Sequence, residues 1–304
     1  VPELPEVETI ARELSPLVVG RTITHFRTDW PRAIRHPEPD RFASDVDGRE
    51  ILDVARRAKW LVLSLSGVGE NEAAPALLAI QVKMTGQLTV VSPDQPADKH
   101  VHHFFGLSDG RELRIRDTRK FGRLGLYRRD EAGAILGSDE ARELFADFGP
   151  EPLDASFTVR DFRRLIRARR GRLKTLLLNQ AFLAGIGNIY ADEALWRARL
   201  HPLRSADSLR PDQERRLYDA IRDVLAEAIR RRGSSVDTYR SPEGAGEMQE
   251  HLNVYGRTGK PCPRCGRPTR RVVINARSTH FCSWCQRLPA AQRAGAVREL
   301  LARR

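Results

Sequence analysis

The residues able to do chemistry cluster at the two ends of the chain. Cys262-x-x-Cys265 is followed, after sixteen residues, by Cys282-x-x-Cys285, and these are the only cysteines among 304 residues. Two such knuckles supply four thiolates to a tetrahedral shell that leaves no position for water, which points to one structural Zn2+ ion. A four-cysteine set can also hold an iron–sulfur cluster, and spacing alone leaves both open. Around a metal held this way, the intervening residues form a β-hairpin with its tip near Asn275-Ala276-Arg277. At the opposite end stand Pro2, Glu3 and Glu6, which in isolation read as an ordinary helix start. His36-Pro37-Glu38 and Pro261-Cys262-x-x-Cys265 match both halves of the zinc-deaminase signature. The halves lie more than two hundred residues apart, and the second cysteine pair completes the shell without a histidine. His36 therefore reads as an exposed loop residue.

The elements that position these groups follow from periodicity. In residues 2–14, PELPEVETIAREL, the positions Val7, Ile10, Ala11 and Leu14 recur at helical spacing, with Pro5 in the first turn. From about 20 to 130 the texture changes to short alternating runs, such as Leu61, Leu63 and Leu65, or Leu113 and Ile115 between Arg114 and Arg116. Asp47-Gly48 and Asp109-Gly110 punctuate them as turns. A β-sandwich carrying the N-terminal helix is the economical reading. After FGPEPL (148–153) the pattern turns helical, most clearly from Pro211 to Arg232, where Leu217, Ala220, Ile221, Val224, Leu225, Ala228 and Ile229 form one stripe and Gly233 a stop. The Gly/Ser/Pro-rich stretch 233–246 reads as a mobile loop, and the basic tail from Pro289 to Arg304 as helical.

The length accommodates two domains with real cores. A formal net charge of +12, from 52 Lys+Arg against 40 Asp+Glu, makes a polyanion such as nucleic acid a reasonable partner, although an Arg-rich surface can also be merely solvated. No run approaches the ~20 apolar residues of a membrane span, and the acidic N-terminus is unlike a signal peptide. The expectation is a cytoplasmic protein, in whose reducing surroundings paired cysteines bind metal rather than form disulfides.

Residues 2–8 (PELPEVE), 117–122 (DTRKFG), 182–202 (FLAGIGNIYADEALWRARLHP) and the C-terminal VYGRTGKPCPRCG with THFCSWCQ occur together in one order. Over nearly its whole length the sequence thereby resembles the formamidopyrimidine-DNA glycosylase family. The opening PELPEVE favours that branch over the related endonuclease VIII branch. The resemblance implies an α+β fold: an N-terminal β-sandwich with an N-terminal helix, a C-terminal helix–two-turn–helix domain and a zinc-finger β-hairpin. The implied boundaries are 1–130 for the catalytic sandwich, 131–150 for a linker, 151–240 for the helix–two-turn–helix domain with a lesion-capping loop, 241–288 for the zinc finger and 289–304 for the tail.

It also implies roles. Pro2 offers a secondary amine that attacks the sugar C1′ of a damaged nucleotide and yields an iminium, with Glu3 shuttling protons and Glu6 favouring the helix N-terminus. Lys59 helps protonate and position sugar and phosphate during β-elimination, and Arg277 contacts phosphate for the δ-elimination. Met84, Arg119 and Phe121 fill the void left by the everted base. His100, Arg119, Arg169, Lys174 and Asn188 grip the DNA backbone, Asn188 at a glycine-rich helix start. The expected activity is excision of oxidised purines such as 8-oxoguanine and formamidopyrimidines, followed by β,δ-elimination, by a monomer that needs no organic cofactor and acts on double-stranded DNA containing oxidised bases or abasic sites. The sequence departs from the pattern at three places. Val1 precedes Pro2 and would acylate the amine, so the reading requires a valine-encoded start residue that is removed. Gln81 and Lys83 stand where the family has histidine and glycine, Lys83 adding a phosphate contact. Residues 233–248 differ from the family's capping loop. An endonuclease VIII-like enzyme for oxidised pyrimidines, or a non-catalytic DNA-binding relative if Val1 is retained, are the alternatives.

Overall fold

The computed structural model describes residues 2–68, 75–130, 133–136, 144–235 and 239–293. The chain divides into two compact units, one comprising 1–147 with 231–247 and the other 148–230 with 248–304. The first unit begins with α1 (Leu4–Val18) and holds two sheets. The four-stranded sheet has the order β1 (Ile23–Thr28), β7 (Val101–Leu107), β8 (Glu112–Asp117), β6 (Gly86–Val91). The five-stranded sheet has the order β2 (Ile34–His36), β9 (Arg123–Arg128), β5 (Ala76–Gln81), β4 (Trp60–Leu65), β3 (Ile51–Arg57). Pairing is antiparallel throughout except between β2 and β9. The helix α2 (Pro39–Val46) covers β1, β2 and β9.

One apolar cluster joins these parts: Val7, Ile10, Ala11 and Leu14 of α1, Leu61, Leu63 and Leu65 of β4, and Phe105, Leu113 and Ile115 from the other sheet. Each large side chain sealed there contributes about 2 kcal/mol from burial alone. The alternation on β8 misleads at one position. Arg114 is buried, with its guanidinium against Glu112 at 2.8 Å and the carbonyls of Gln95 and Pro93 at 2.6 and 3.0 Å. His36 is likewise not an exposed loop residue: it lies in β2, half-buried, its ring stacked on Tyr127 with centroids 5.0 Å apart.

The second unit contains α3 (Val159–Arg167), α4 (Leu173–Leu178), α5 (Asn188–Arg197), α6 (Pro211–Arg230) and a hairpin of β10 (Arg270–Ile274) and β11 (Arg277–Phe281). Thr158 and Asp161 cap α3 reciprocally. The predicted stripe of α6 is buried at Leu217, Ala220, Ile221, Val224, Leu225 and Ala228. Past its end Arg232 and Gly233 take φ values of +59° and +76°, the left-handed stop expected of a glycine there. The helices α4 and α5 with the turns between them form the helix–two-turn–helix. No helix among the described residues is long and apolar enough to cross a membrane.

Residues 231–247, read from sequence partly with the helical domain and as a mobile loop, belong to the first unit. Their described parts are anchored: Glu247 donates its N–H to the Arg231 carbonyl at 2.8 Å, Ser241 pairs with Gly244, and Tyr239 is buried in the core. Positions 236–238 and most of the predicted tail helix, 294–304, lie outside the described residues.

Two buried histidines make the fold acid-sensitive. His103, with Nδ1 at 2.8 Å from the Thr28 hydroxyl, is held at a pKa of about 4 by burial and then by the neighbouring His102. His201, whose Nδ1 accepts the Leu203 N–H at 3.1 Å, is held at about 4 by burial and the charge of Arg172. Both folded values lie below the ordinary 6.5, so the unfolded chain takes up protons first as pH falls. Their stabilising effect is complete above that pH and is lost between it and about 4, at a cost of about 3 kcal/mol per group. Denaturant titrations at pH 7.5 and 4.5 should show His103→Gln losing about 2 kcal/mol less between the two than the parent.

Candidate active site

Pro2 lies buried immediately ahead of α1, and the start of that helix is fixed by one carboxylate. Glu6 Oε2 accepts the N–H of Glu3 at 2.8 Å, while its Oε1 accepts the N–H of Ser234 at 2.7 Å. Glu6 and Glu3 are both buried, at 1% and 3% exposure, and these donors offset the cost of burying the Glu6 carboxylate. Gly233 is required beside them: its φ is +76°, and a Cβ there would sit 2.8 Å from Glu6 Cγ. Tyr239 donates its hydroxyl to the Glu6 carbonyl at 3.2 Å, and burial and then the Glu6 charge push that phenol's pKa well up. Glu6 was read from sequence only as a favourable charge at a helix start; its partners Ser234 and Tyr239 lie more than 220 residues away, beyond any local signal.

Lys59 is half-buried in the tight turn between β3 and β4, after Ala58 with φ of +52°. This turn is tied to α1 by Arg56, which sequence reasoning passed over. Its guanidinium reaches Glu8 on α1 at 3.1 Å and the Ala58 carbonyl at 3.0 Å. The turn carrying Lys59 is thus indexed to the helix that follows Pro2.

The three residues assigned to void filling do come together. Arg119 Nη1 donates to Met84 Sδ at 3.1 Å, and its guanidinium lies 4.6 Å from the centroid of the Phe121 ring, which is 49% exposed. Both loops are organised by Asp117. That buried carboxylate accepts the N–H groups of Arg119 (3.1 Å), Phe121 (2.9 Å) and Gly122 (2.7 Å) and the hydroxyl of Thr85, next to Met84. Asp117 opens the DTRKFG motif, yet only its folded surroundings mark it as the residue that shapes the trio. His100, half-buried ahead of β7, donates its N–H to Asp98 at 2.7 Å.

The second unit holds the remaining candidates. Arg169 is exposed just beyond α3. Asn188 opens α5 and donates from Nδ2 to the Ser278 carbonyl at 2.8 Å, while its buried Oδ1 has no partner among the described residues. Lys174 does not fit the phosphate role given to it from sequence. Its ammonium is wholly buried, 2.6 Å from Asp192 Oδ1 and 2.9 Å from the Asn188 carbonyl, so it braces the helix pair from inside. Asp192 also accepts the His280 N–H at 2.8 Å, which ties α5 to β11. Arg277 is exposed after a two-residue turn in which Asn275 and Ala276 have φ of +48° and +58°, the type I′ geometry that matches hairpin twist. Asn275 Nδ2 reaches Thr175 on α4 at 2.9 Å, which fixes this tip against the helix pair.

The sulfurs of Cys262, Cys265, Cys282 and Cys285 all lie within 4.8 Å of one another. Cys262 and Cys285 are 4.0 Å apart and Cys265 and Cys282 3.5 Å, close to the roughly 3.8 Å edge of a tetrahedron with Zn–S bonds of about 2.3 Å and far beyond a disulfide. Trp196 on α5 donates Nε1–H to Cys262 Sγ at 3.4 Å, which helps hold a thiolate. The module is attached to α5 by Glu193, whose carboxylate accepts the N–H groups of Asn253, Val254 and Tyr255 at 3.0, 2.9 and 2.9 Å.

Comparison with known proteins agrees with this geometry. Residues 1–124 match the formamidopyrimidine-DNA glycosylase N-terminal domain, 148–240 its H2TH domain, and 259–288 the zinc finger found in FPG and IleRS. The four cysteines accordingly hold one structural zinc. The formamidopyrimidine-DNA glycosylase of Chloroflexus aurantiacus is 48% identical, covering 94% of this chain and 98% of its own. That of Herpetosiphon aurantiacus is 45% identical over 94% and 100%. Among solved structures, Lactococcus lactis Fpg bound to DNA with an abasic site superposes with a TM-score of 0.82 at 33% identity, over 94% of this chain and all of that one. Thermus thermophilus Fpg gives 0.79 at 41% identity, over 94% and 98%. The chain belongs to the formamidopyrimidine-DNA glycosylase family.

Proposed function

We propose that the protein is a bifunctional DNA glycosylase and abasic-site lyase that excises oxidised purines, 8-oxoguanine and formamidopyrimidines, from double-stranded DNA and then nicks the strand. The observation that carries this is the pinned start of α1. Glu6, bonded to both Glu3 and Ser234, holds Pro2 and Glu3 in one arrangement, and Arg56 ties the same helix, at Glu8, to the turn that bears Lys59. Complexes of Lactococcus lactis Fpg with abasic-site DNA and with N7-benzyl-Fapy-dG DNA give the substrate class in relatives.

In this reading the Pro2 nitrogen forms a bond to C1′ as the damaged base leaves with its bonding electrons. Opening of the sugar then gives an iminium that acts as electron sink. Glu3 carries protons to and from the sugar, and Lys59 positions sugar and phosphate for β-elimination. Arg277, exposed on the zinc-finger hairpin, takes the phosphate during δ-elimination through its fork of donors. Met84, Arg119 and Phe121 occupy the space of the everted nucleotide, and His100, Arg169 and Asn188 contact the backbone. Lys174 acts through Asn188. The nucleophile exists only once Val1 is gone, since an acylated proline nitrogen has no available lone pair. The enzyme works as a monomer in the cytoplasm, on the nucleoid.

Borohydride reduction during turnover of an 8-oxoguanine duplex should trap a covalent adduct on protein whose N-terminal mass begins at Pro2. Protein carrying an extension ahead of Pro2 should give none, and an adduct from the extended form would remove Pro2 from its role. Excision of 8-oxoguanine opposite cytosine should exceed that of thymine glycol opposite adenine; the reverse would assign oxidised pyrimidines. Asp117→Asn places an amide against backbone donors and should lower lesion excision by roughly ten- to a hundredfold. Metal analysis should find one zinc per chain without visible iron–sulfur absorption, and chelation should abolish tight duplex binding.

A further inference from the structure

Each of the five strands of one sheet carries a cation at the same end. Gln81 pairs with Arg123, so the chain leaving β5 emerges beside the start of β9. Leu61 pairs with Ile80, which sets the turn before β4, with Lys59, beside the segment after β5, with Lys83. The parallel pairing of Ile34 with Leu124 brings Arg35 of β2 to this end, and Arg57 of β3 faces Trp60. In sheet order the row is Arg35, Arg123, Lys83, Lys59, Arg57. At about 4.8 Å between strands it spans about 19 Å.

Lys83 is the member that local energetics disfavour. It is half-buried, and its φ of +52° suits glycine, costing a residue with a side chain roughly 1 kcal/mol. Burial, and then the charges of Arg123, Arg35 and Lys59, lower its pKa from the ordinary lysine value. Among the described residues it has no hydrogen-bond or carboxylate partner. Its turn is nevertheless fixed, by the Gly86 N–H on the Val82 carbonyl at 2.9 Å and by Thr85 on Asp117. A fixed, half-buried cation crowded by three others and lacking a counter-charge is arranged for an anion from outside.

We infer that Lys83, with Arg35 and Arg123, forms a seat for a phosphate of the DNA strand, separate from the phosphate served by Lys59. The inference rests on the proposed DNA substrate. The ligand chemistry is phosphate, either a phosphodiester of the intact strand or the terminal phosphate left by strand cleavage.

The test is the salt dependence of binding to a duplex with a non-cleavable abasic-site analogue, for the parent, Lys83→Gly, Lys83→Met and Lys83→Arg. Glycine suits the backbone at this position, so Lys83→Gly should melt no lower than the parent. Both charge-removing variants should bind roughly tenfold more weakly at low salt, with the log–log salt slope smaller by about 0.9, and Lys83→Arg should restore both. An equal loss on intact and gapped duplexes assigns a phosphodiester. A loss confined to gapped duplexes with phosphorylated ends assigns the terminal phosphate. Parent-like affinity and slope for Lys83→Met on every duplex would overturn the seat, whereas a parent that does not prefer the lesion analogue over undamaged duplex would overturn the DNA-repair reading itself.

Discussion

Glu6 cannot stay ionised in the interior of the first unit unless both of its oxygens find donors, and meeting that requirement decides where two distant pieces of chain go. One oxygen takes the N–H of Glu3, which sets the direction in which Pro2 leaves the helix. The other takes the N–H of Ser234, which forces the left-handed turn at Gly233 to lie against the helix with no room for a side chain. Tyr239 then donates its hydroxyl to the backbone carbonyl of Glu6 and enters the core. The start of α1 is therefore placed by a charge–backbone contact, with apolar packing of Val7, Ile10 and Leu14 holding the helix behind it.

The same device recurs at two further loops. Loops lack a ladder of backbone partners, so a carboxylate that accepts several N–H groups at once stands in for one. Asp117 does this for the segment bearing Arg119 and Phe121, and Glu193 for the segment that leads into the cysteine module. In each case the acid sits on a regular element and the donors on the irregular one. Rigidity is thus passed from strand or helix to the loop that carries the exposed side chains.

What was legible in the sequence was what depends on near neighbours. The cysteine knuckles, the α1 stripe, the long helix α6 with its glycine stop and the alternating Leu61, Leu63 and Leu65 all express short periods and appear as expected. Misreadings fall where a distant partner changes the meaning of a residue. Lys174 looked like a surface charge aimed at phosphate, but Asp192 draws it wholly inside. Arg114 alternates with the apolar Leu113 and Ile115, but the carbonyls of Gln95 and Pro93 take its guanidinium inside. His36 lacked any sequence sign of the Tyr127 ring that covers it. Asp117 and Glu193 were within recognised motifs, yet their function as multiple acceptors exists only after the loops have folded around them.

The return of residues 231–247 to the first unit also has a bearing on how the protein is made. During synthesis the strands and α1 emerge early, but the donor that completes the Glu6 site and the tyrosine that seals it belong to residues 234 and 239, after the whole of α3 to α6. The helix α1 thus leaves the ribosome before the segment that locks its start. An incomplete chain ending anywhere before that segment carries α1 without the contacts of Ser234 and Tyr239, so premature termination leaves the start of that helix unfixed.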